Sequence, residues 1–184
     1  MKNTKQKIAL LSLAVLMVVA IVGGLIKPYI QNKDKGISSD SDGRLNIPNF
    51  QYTDRRGETV DFDSLRGKPI VINFWGTWCG WCVEEMADFN QQVKDYGDDV
   101  NFLFLNVANS KSETTQDVLD FLRENGYDAI TTHFDSMGEG IYMFGINSFP
   151  TTVYADSEGN LYDAAIGLTD YDSAKEVIES MLEE

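Results

Sequence analysis

The sequence predicts an α/β domain built around a parallel pair of strands joined by a helix, and three observations predict it. Pro69 to Phe74 (PIVINF) is a short, continuous, β-branched apolar run, as expected of a strand buried on both faces. Val100 to Val107 (VNFLFLNV) is a second run of the same kind. Between them Cys82, Met86, Phe89, Val93 and Tyr96 recur at spacings of three and four, the period of a helix with one apolar face. Strand, helix, strand in that order is a βαβ unit, which implies a right-handed crossover and parallel pairing.

The flanking segments extend this core. Upstream, Phe50 to Phe62 holds two alternating runs around Asp54-Arg55-Arg56-Gly57, the pattern of a hairpin. Downstream, Thr114 to Asn125 opens on a Thr114-x-x-Asp117 capping pattern and stops before Gly126, which predicts a second helix. Thr131 to Phe134 (TTHF) reads as a short strand. Thr151 to Ala155 and Leu161 to Ile166 flank Asp156-Ser157-Glu158-Gly159-Asn160, whose turn chemistry predicts an antiparallel hairpin. Asp172 to Glu184 places Ala174, Val177, Ile178, Met181 and Leu182 on one helical face and closes the domain. No internal repeat interrupts this order.

The chain has 184 residues, and 43% apolar with 11% aromatic residues can build one core. Ile8 to Ile26 is a run of nineteen residues without a charge, about 28 Å as a helix and so about the width of a hydrocarbon core. The expected organisation is a short cytoplasmic segment (1–7), a transmembrane signal-anchor (8–26), a flexible linker (27–43) rich in Ser, Asp and Gly, and a folded domain (44–184). A cleaved signal peptide is the competing reading, but the apolar run exceeds the usual h-region of 7 to 15 residues. Lys2, Lys5 and Lys7 ahead of the run favour an extracytoplasmic domain, although Lys27, Lys33 and Lys35 beyond it weaken the bias. Residues 1–43 carry six Lys against three Asp, so the net charge of −14 becomes −17 on the rest. That excludes nucleic acid as a partner and favours solubility and repulsion from anionic head groups.

The chemistry lies in Trp78-Cys79-Gly80-Trp81-Cys82, which holds both cysteines of the chain. Cys79 falls where the first strand gives way to the helix, beside unpaired N–H groups and the positive end of the dipole, where a thiolate is stabilised. The x-x spacing lets Cys82 reach it. A structural disulfide closing so short a loop removes little chain entropy. A zinc site lacks ligands, since the one histidine, His133, lies some fifty residues away and reads as a surface or packing residue. Burial as inert thiols suits Cys82 better than Cys79, whose neighbours Gly80 and Trp81 suggest an exposed turn facing a ligand. Redox chemistry is the reading these facts favour. Glu85, one turn beyond Cys82 on the apolar side of the helix, is either a solvated carboxylate at the edge of the stripe or a partly buried one that exchanges a proton with the thiol. Pro150 opens an otherwise good strand, where its missing N–H is tolerable and where a cis bond also occurs.

The stretch NFWGTWCGWC, the helix after it, and the distal FPTTVYAD with Glu158-Gly159 resemble the thioredoxin superfamily, and within it the membrane-tethered, extracytoplasmic TlpA/ResA-like thiol-disulfide oxidoreductases. The likeness covers residues 44 to 184, and the long segment from Asn109 to Ile146 suits a branch with an insertion in the core. The resemblance implies a thioredoxin-like fold in which Cys79 attacks and Cys82 resolves. It further implies a cis Pro150 facing the disulfide, Phe149 offering backbone hydrogen bonds to a client, and Glu85 as the acidic proton carrier. Trp78, Gly80, Trp81, Phe149 and Pro150 become the surface that meets the substrate. Three departures stand out: Asn73 where cytoplasmic thioredoxins carry a buried Asp, Trp81 where Pro or His is common, and Ala87 where the branch often has Pro. The implied function is reduction of disulfides in exported client proteins, such as apocytochrome c or a surface methionine sulfoxide reductase. The implied electron source is a CcdA-like membrane thiol transporter, with no metal or other cofactor. A disulfide-forming oxidase is the alternative. A peroxidase of the peroxiredoxin kind lacks its Pro-x-x-x-Thr-x-x-Cys pattern, and a copper-delivery module would need one more residue between the cysteines.

Overall fold

A computed structural model of the chain describes residues 37–39, 43–107 and 113–183. The apolar run 8–26 and the first part of the expected linker lie outside the described residues. Among the described residues no helix is long and apolar enough to cross a membrane.

Ser38–Ser39 (β1) and Leu45–Asn46 (β2) form a small antiparallel pair. Gln51–Thr53 (β3) and Thr59–Asp61 (β4) make the expected hairpin, followed by a 3-10 turn at Phe62–Leu65. Then come Ile70–Trp75 (β5), Gly80–Tyr96 (α1), Asn101–Asn106 (β6), Thr115–Glu124 (α2), Thr132–Phe134 (β7) and Glu139–Phe144 (α3). Thr151–Ala155 (β8), Leu161–Ile166 (β9) and Tyr171–Leu182 (α4) complete the chain. Seven strands form one mixed sheet in the order β4-β3-β7-β6-β5-β8-β9. The central β5 pairs in parallel with β6, from Ile70 with Asn101 to Trp75 with Asn106, and antiparallel with β8, from Ile70 with Ala155 to Phe74 with Thr151.

All six residues of β5 are buried because both sheet faces are covered. Alternation sends Val71 and Trp75 to a core shared with α1, α2 and α4, through Met86, Phe89, Val118, Leu122 and Ile178. Ile70, Ile72 and Phe74 point the other way, into a core with Ile47, Phe50, Phe62 and the α3 residues Ile141 and Phe144. Each such side chain removed from water contributes about 1.5–3 kcal/mol.

Local chemistry fixes the ends of the elements. Thr114 and Asp117 form a complete capping box on α2, and Asp170 Oδ1 accepts Ser173 N–H at 2.8 Å to start α4. In the β8–β9 turn, Asp156 Oδ1 accepts Glu158 N–H and Asn160 N–H at 2.9 and 2.8 Å, and Gly159 takes φ of 80°. Two features differ from the sequence reading. Ser38 and Ser39, inside the stretch expected to be flexible, pair as a strand, and α3 is a helix of six residues between Gly138 and Gly145, too short to show a period in the sequence.

Candidate active site

Cys79 and Cys82 form a disulfide at the first turn of α1, with Cα atoms 5.2 Å apart. Cys79 is the N-cap of the helix: its extended backbone ends the turn that leaves β5, and its sulfur accepts the Cys82 N–H at 3.2 Å. A sulfur that already takes an orphan helix N–H lies where a thiolate gains most, at the positive end of the dipole. Exposure separates the pair, with Cys79 at 9% and Cys82 at 0%, so Cys79 is the sulfur nearer the surface.

Behind Cys82, Glu85 is buried on the same helix face. Its Oε1 accepts Asn73 Nδ2–H from β5 at 2.8 Å and its Oε2 accepts the Thr169 N–H at 3.0 Å from the loop between β9 and α4. Desolvation dominates and pushes its pKa up to about 7, with Asp88 adding to the rise and the two N–H donors opposing it. A carboxyl poised there takes or gives a proton near neutral pH. Nearby on the same sheet face, Asn73 also donates to Thr152 Oγ1 at 3.0 Å, while Asn73 Oδ1, Thr169 Oγ1 and Tyr154 OH are buried without a hydrogen-bond partner. Burial also raises Tyr154, so its phenol stays protonated.

The rim of the site is aromatic and apolar. The Trp78 indole meets the Phe149 ring edge to face, centroids 5.4 Å apart, and lies across Gly76, where an added Cβ would collide with its Nε1. Trp81 is 64% exposed, Gly80 is exposed with open space around it, and Phe149–Pro150 is a cis peptide at the head of β8. Gly167 N–H donates to Pro150 O at 2.9 Å, which brings exposed Ile166 and Leu168 to the same rim. The structure thus gathers Trp78, Cys79, Cys82, Phe149 and Pro150 into one site, with Glu85 beneath it and Gly80 and Trp81 on its outer turn.

Sequence reasoning missed several participants. Thr169 carries no motif, and Gly76 lies inside the NFWGTWCGWC stretch without a role that spacing could reveal. Glu113 was missed as well: its Oε2 accepts Thr77 N–H at 3.2 Å and the Thr77 hydroxyl, while its Oε1 accepts Asn106 Nδ2–H at 2.9 Å, which ties the turn before Cys79 to the end of β6. Spacing from Thr77 to Glu113 gave no signal for that tie. His133 sits on β7 opposite Leu105, its ring edge to face with Tyr52 and the centroids 5.1 Å apart, and so belongs to the sheet face away from the disulfide.

This geometry matches known proteins. Residues 44–164 match the AhpC/TSA family. The chain is 30% identical over 138 residues to the thiol-disulfide oxidoreductase ResA of Bacillus thuringiensis, covering 73% of each chain. It is 35% identical over 126 residues to a thioredoxin-like protein of Haemophilus influenzae, covering 68% of this chain and 71% of that one. Its structure is similar to that of StoA from Bacillus subtilis, with a TM-score of 0.62 and 25% identity over 71% of this chain and 96% of that one. The disulfide at the helix cap, the fold that carries it and these relatives agree: the chain belongs to the AhpC/TSA family and is a thiol-disulfide oxidoreductase of thioredoxin-like fold related to ResA.

Proposed function

We propose that this enzyme works as a reductase of disulfides in exported proteins, held at the outer face of a membrane by the apolar segment 8–26. The observation that carries the reading is the asymmetry of the pair: a Cys79 at the helix cap that keeps a 9% exposed edge, and a fully buried Cys82 one turn from a carboxyl whose pKa is about 7. The Cys79 thiolate attacks one sulfur of a client disulfide, forming Cys79–S–S–client and releasing the other client sulfur as a thiolate. The Cys82 thiol then passes its proton to Glu85, and its thiolate attacks Cys79 Sγ. The second client thiolate leaves, takes up a proton, and the enzyme is left as the disulfide seen here. Two electrons have moved to the client, so each turnover needs two back. A CcdA-like membrane thiol transporter is the proposed source, since an outside compartment lacks the glutathione and thioredoxin pool.

Trp78, Trp81 and Phe149 offer an aromatic surface to an unfolded segment around the client cysteine, which suits clients such as apocytochrome c or a surface methionine sulfoxide reductase. A disulfide-forming oxidase would use the same residues in reverse. The reduction potential of the purified enzyme decides between them: a value below about −230 mV supports the reductase, and one near −120 mV overturns it.

A further inference from the structure

Asn73 is fully buried in the middle of the central strand, an expensive place for an amide unless it is used. Both of its Nδ2 hydrogens are spent, one on Glu85 Oε1 at 2.8 Å and one on Thr152 Oγ1 at 3.0 Å. The bond to Thr152 across the β5–β8 register, where the two residues face each other, fixes which way the amide points. An Asn cannot itself take a proton, so at this strand position it leaves Glu85 as the acid and supplies only a donor.

We propose that Asn73 is a positioning residue for the reaction: oriented by Thr152, its amide holds the Glu85 carboxyl one helical turn behind Cys82 and favours the ionised form that accepts the Cys82 proton. The inference rests on the reading of Glu85 as that acceptor and extends it to the strand beneath. Two donors face the Glu85 carboxyl, the Thr169 N–H and the Asn73 amide, and of these Asn73 is the one whose side chain a substitution can remove. The other groups around it are Asp88 on α1, with Cys82 one turn back on the same helix, and the Tyr154 phenol on β8, whose own pKa is raised. From β5 comes only the Asn73 amide, and from the β9–α4 loop only the Thr169 N–H, with Asp170 exposed and occupied in capping α4. Asp88 and burial oppose ionisation, and the two N–H donors alone favour it.

The test titrates Glu85 by carboxyl carbon NMR in the reduced full chain and, in parallel, follows the pH profile of client release from Cys79 with insulin as the disulfide probe. Replacing Asn73→Leu removes one charge-assisted donor and is expected to move the Glu85 midpoint up by about one pH unit. The release profile should move by the same amount, which lowers the rate at pH 7 about fivefold. Should Asn73→Leu fail to fold, the nearly isosteric Asn73→Asp decides: two facing carboxyls must titrate as a pair, with one step above the wild-type midpoint. An unmoved Glu85 midpoint in a folded variant overturns the proposal, as does a midpoint that moves while the release profile stays. Failure of the wild-type chain to exchange disulfides would instead refute the proposed function, and the NMR titration would still decide whether Asn73 controls Glu85.

Discussion

The Glu85 carboxylate accepts the backbone N–H of Thr169 across 3.0 Å, joining the helix that carries the cysteines to a loop 84 residues further along. That loop also holds Leu168 at the rim and, through Gly167, the carbonyl of Pro150. One buried acid therefore links the turn that follows the cysteines to the loop beside Pro150.

Glu85 governs a pH dependence of stability. Its folded pKa of about 7 lies above the ordinary carboxyl value of 4.5, so the folded state holds a proton that the unfolded chain releases. Stability linked to this group is present below pH 4.5 and is lost as pH rises through 7, by roughly 3 kcal/mol. Glu85→Gln removes that loss: urea midpoints of wild type and variant should agree near pH 4 and diverge in the variant's favour at pH 8. The same substitution should slow client release at neutral pH about 10²-fold, because Cys82 loses its base.

Gly76 makes room for the Trp78 indole. Gly76→Ala places a methyl against it and should displace the ring from Phe149, an edge-to-face pair worth about 1 kcal/mol. Steady-state kinetics with a peptide disulfide should show KM raised about fivefold, while the redox midpoint of Cys79–Cys82 stays where it was.

His133 gives the opposite pH sensitivity. Burial lowers its pKa below 6.5, with Asp54 partly opposing, so its contribution is present above pH 6.5 and is lost as pH falls through the folded value. His133→Phe keeps a ring against Tyr52, and denaturation at pH 5 should show it gaining on wild type relative to pH 7.

Thr114 closes its capping box with Asp117 at the start of α2. Thr114→Ala should cost about 1 kcal/mol in unfolding experiments, and Thr114→Ser should restore most of it.

The parts readable in advance are those set by local patterns. The unbroken apolar run of β5, the Thr114-x-x-Asp117 box and the Asp156 to Asn160 turn each carry their own hydrogen bonds or burial within a few residues. Cys79, Cys82 and Glu85 were readable for the same reason, since one helix turn fixes their spacing. What escaped depends on distant segments meeting: Thr169 reaching Glu85, Glu113 gripping Thr77, and Trp78 folding back over Gly76. The short α3 escaped because its apolar residues have too few turns to show a period. Burial of Glu85 was undecided in the sequence, because the α4 loop and β8 that cover it come from the far end of the chain.

The division of labour between the two sulfurs is the central claim, and capture of a mixed disulfide tests it most directly. Incubated with a disulfide-bonded client, the Cys82→Ser variant should accumulate an adduct linked through Cys79, reversible by a small thiol, while Cys79→Ser should form none. An adduct on Cys82 in the Cys79→Ser chain, or no adduct in Cys82→Ser, would contradict the assignment.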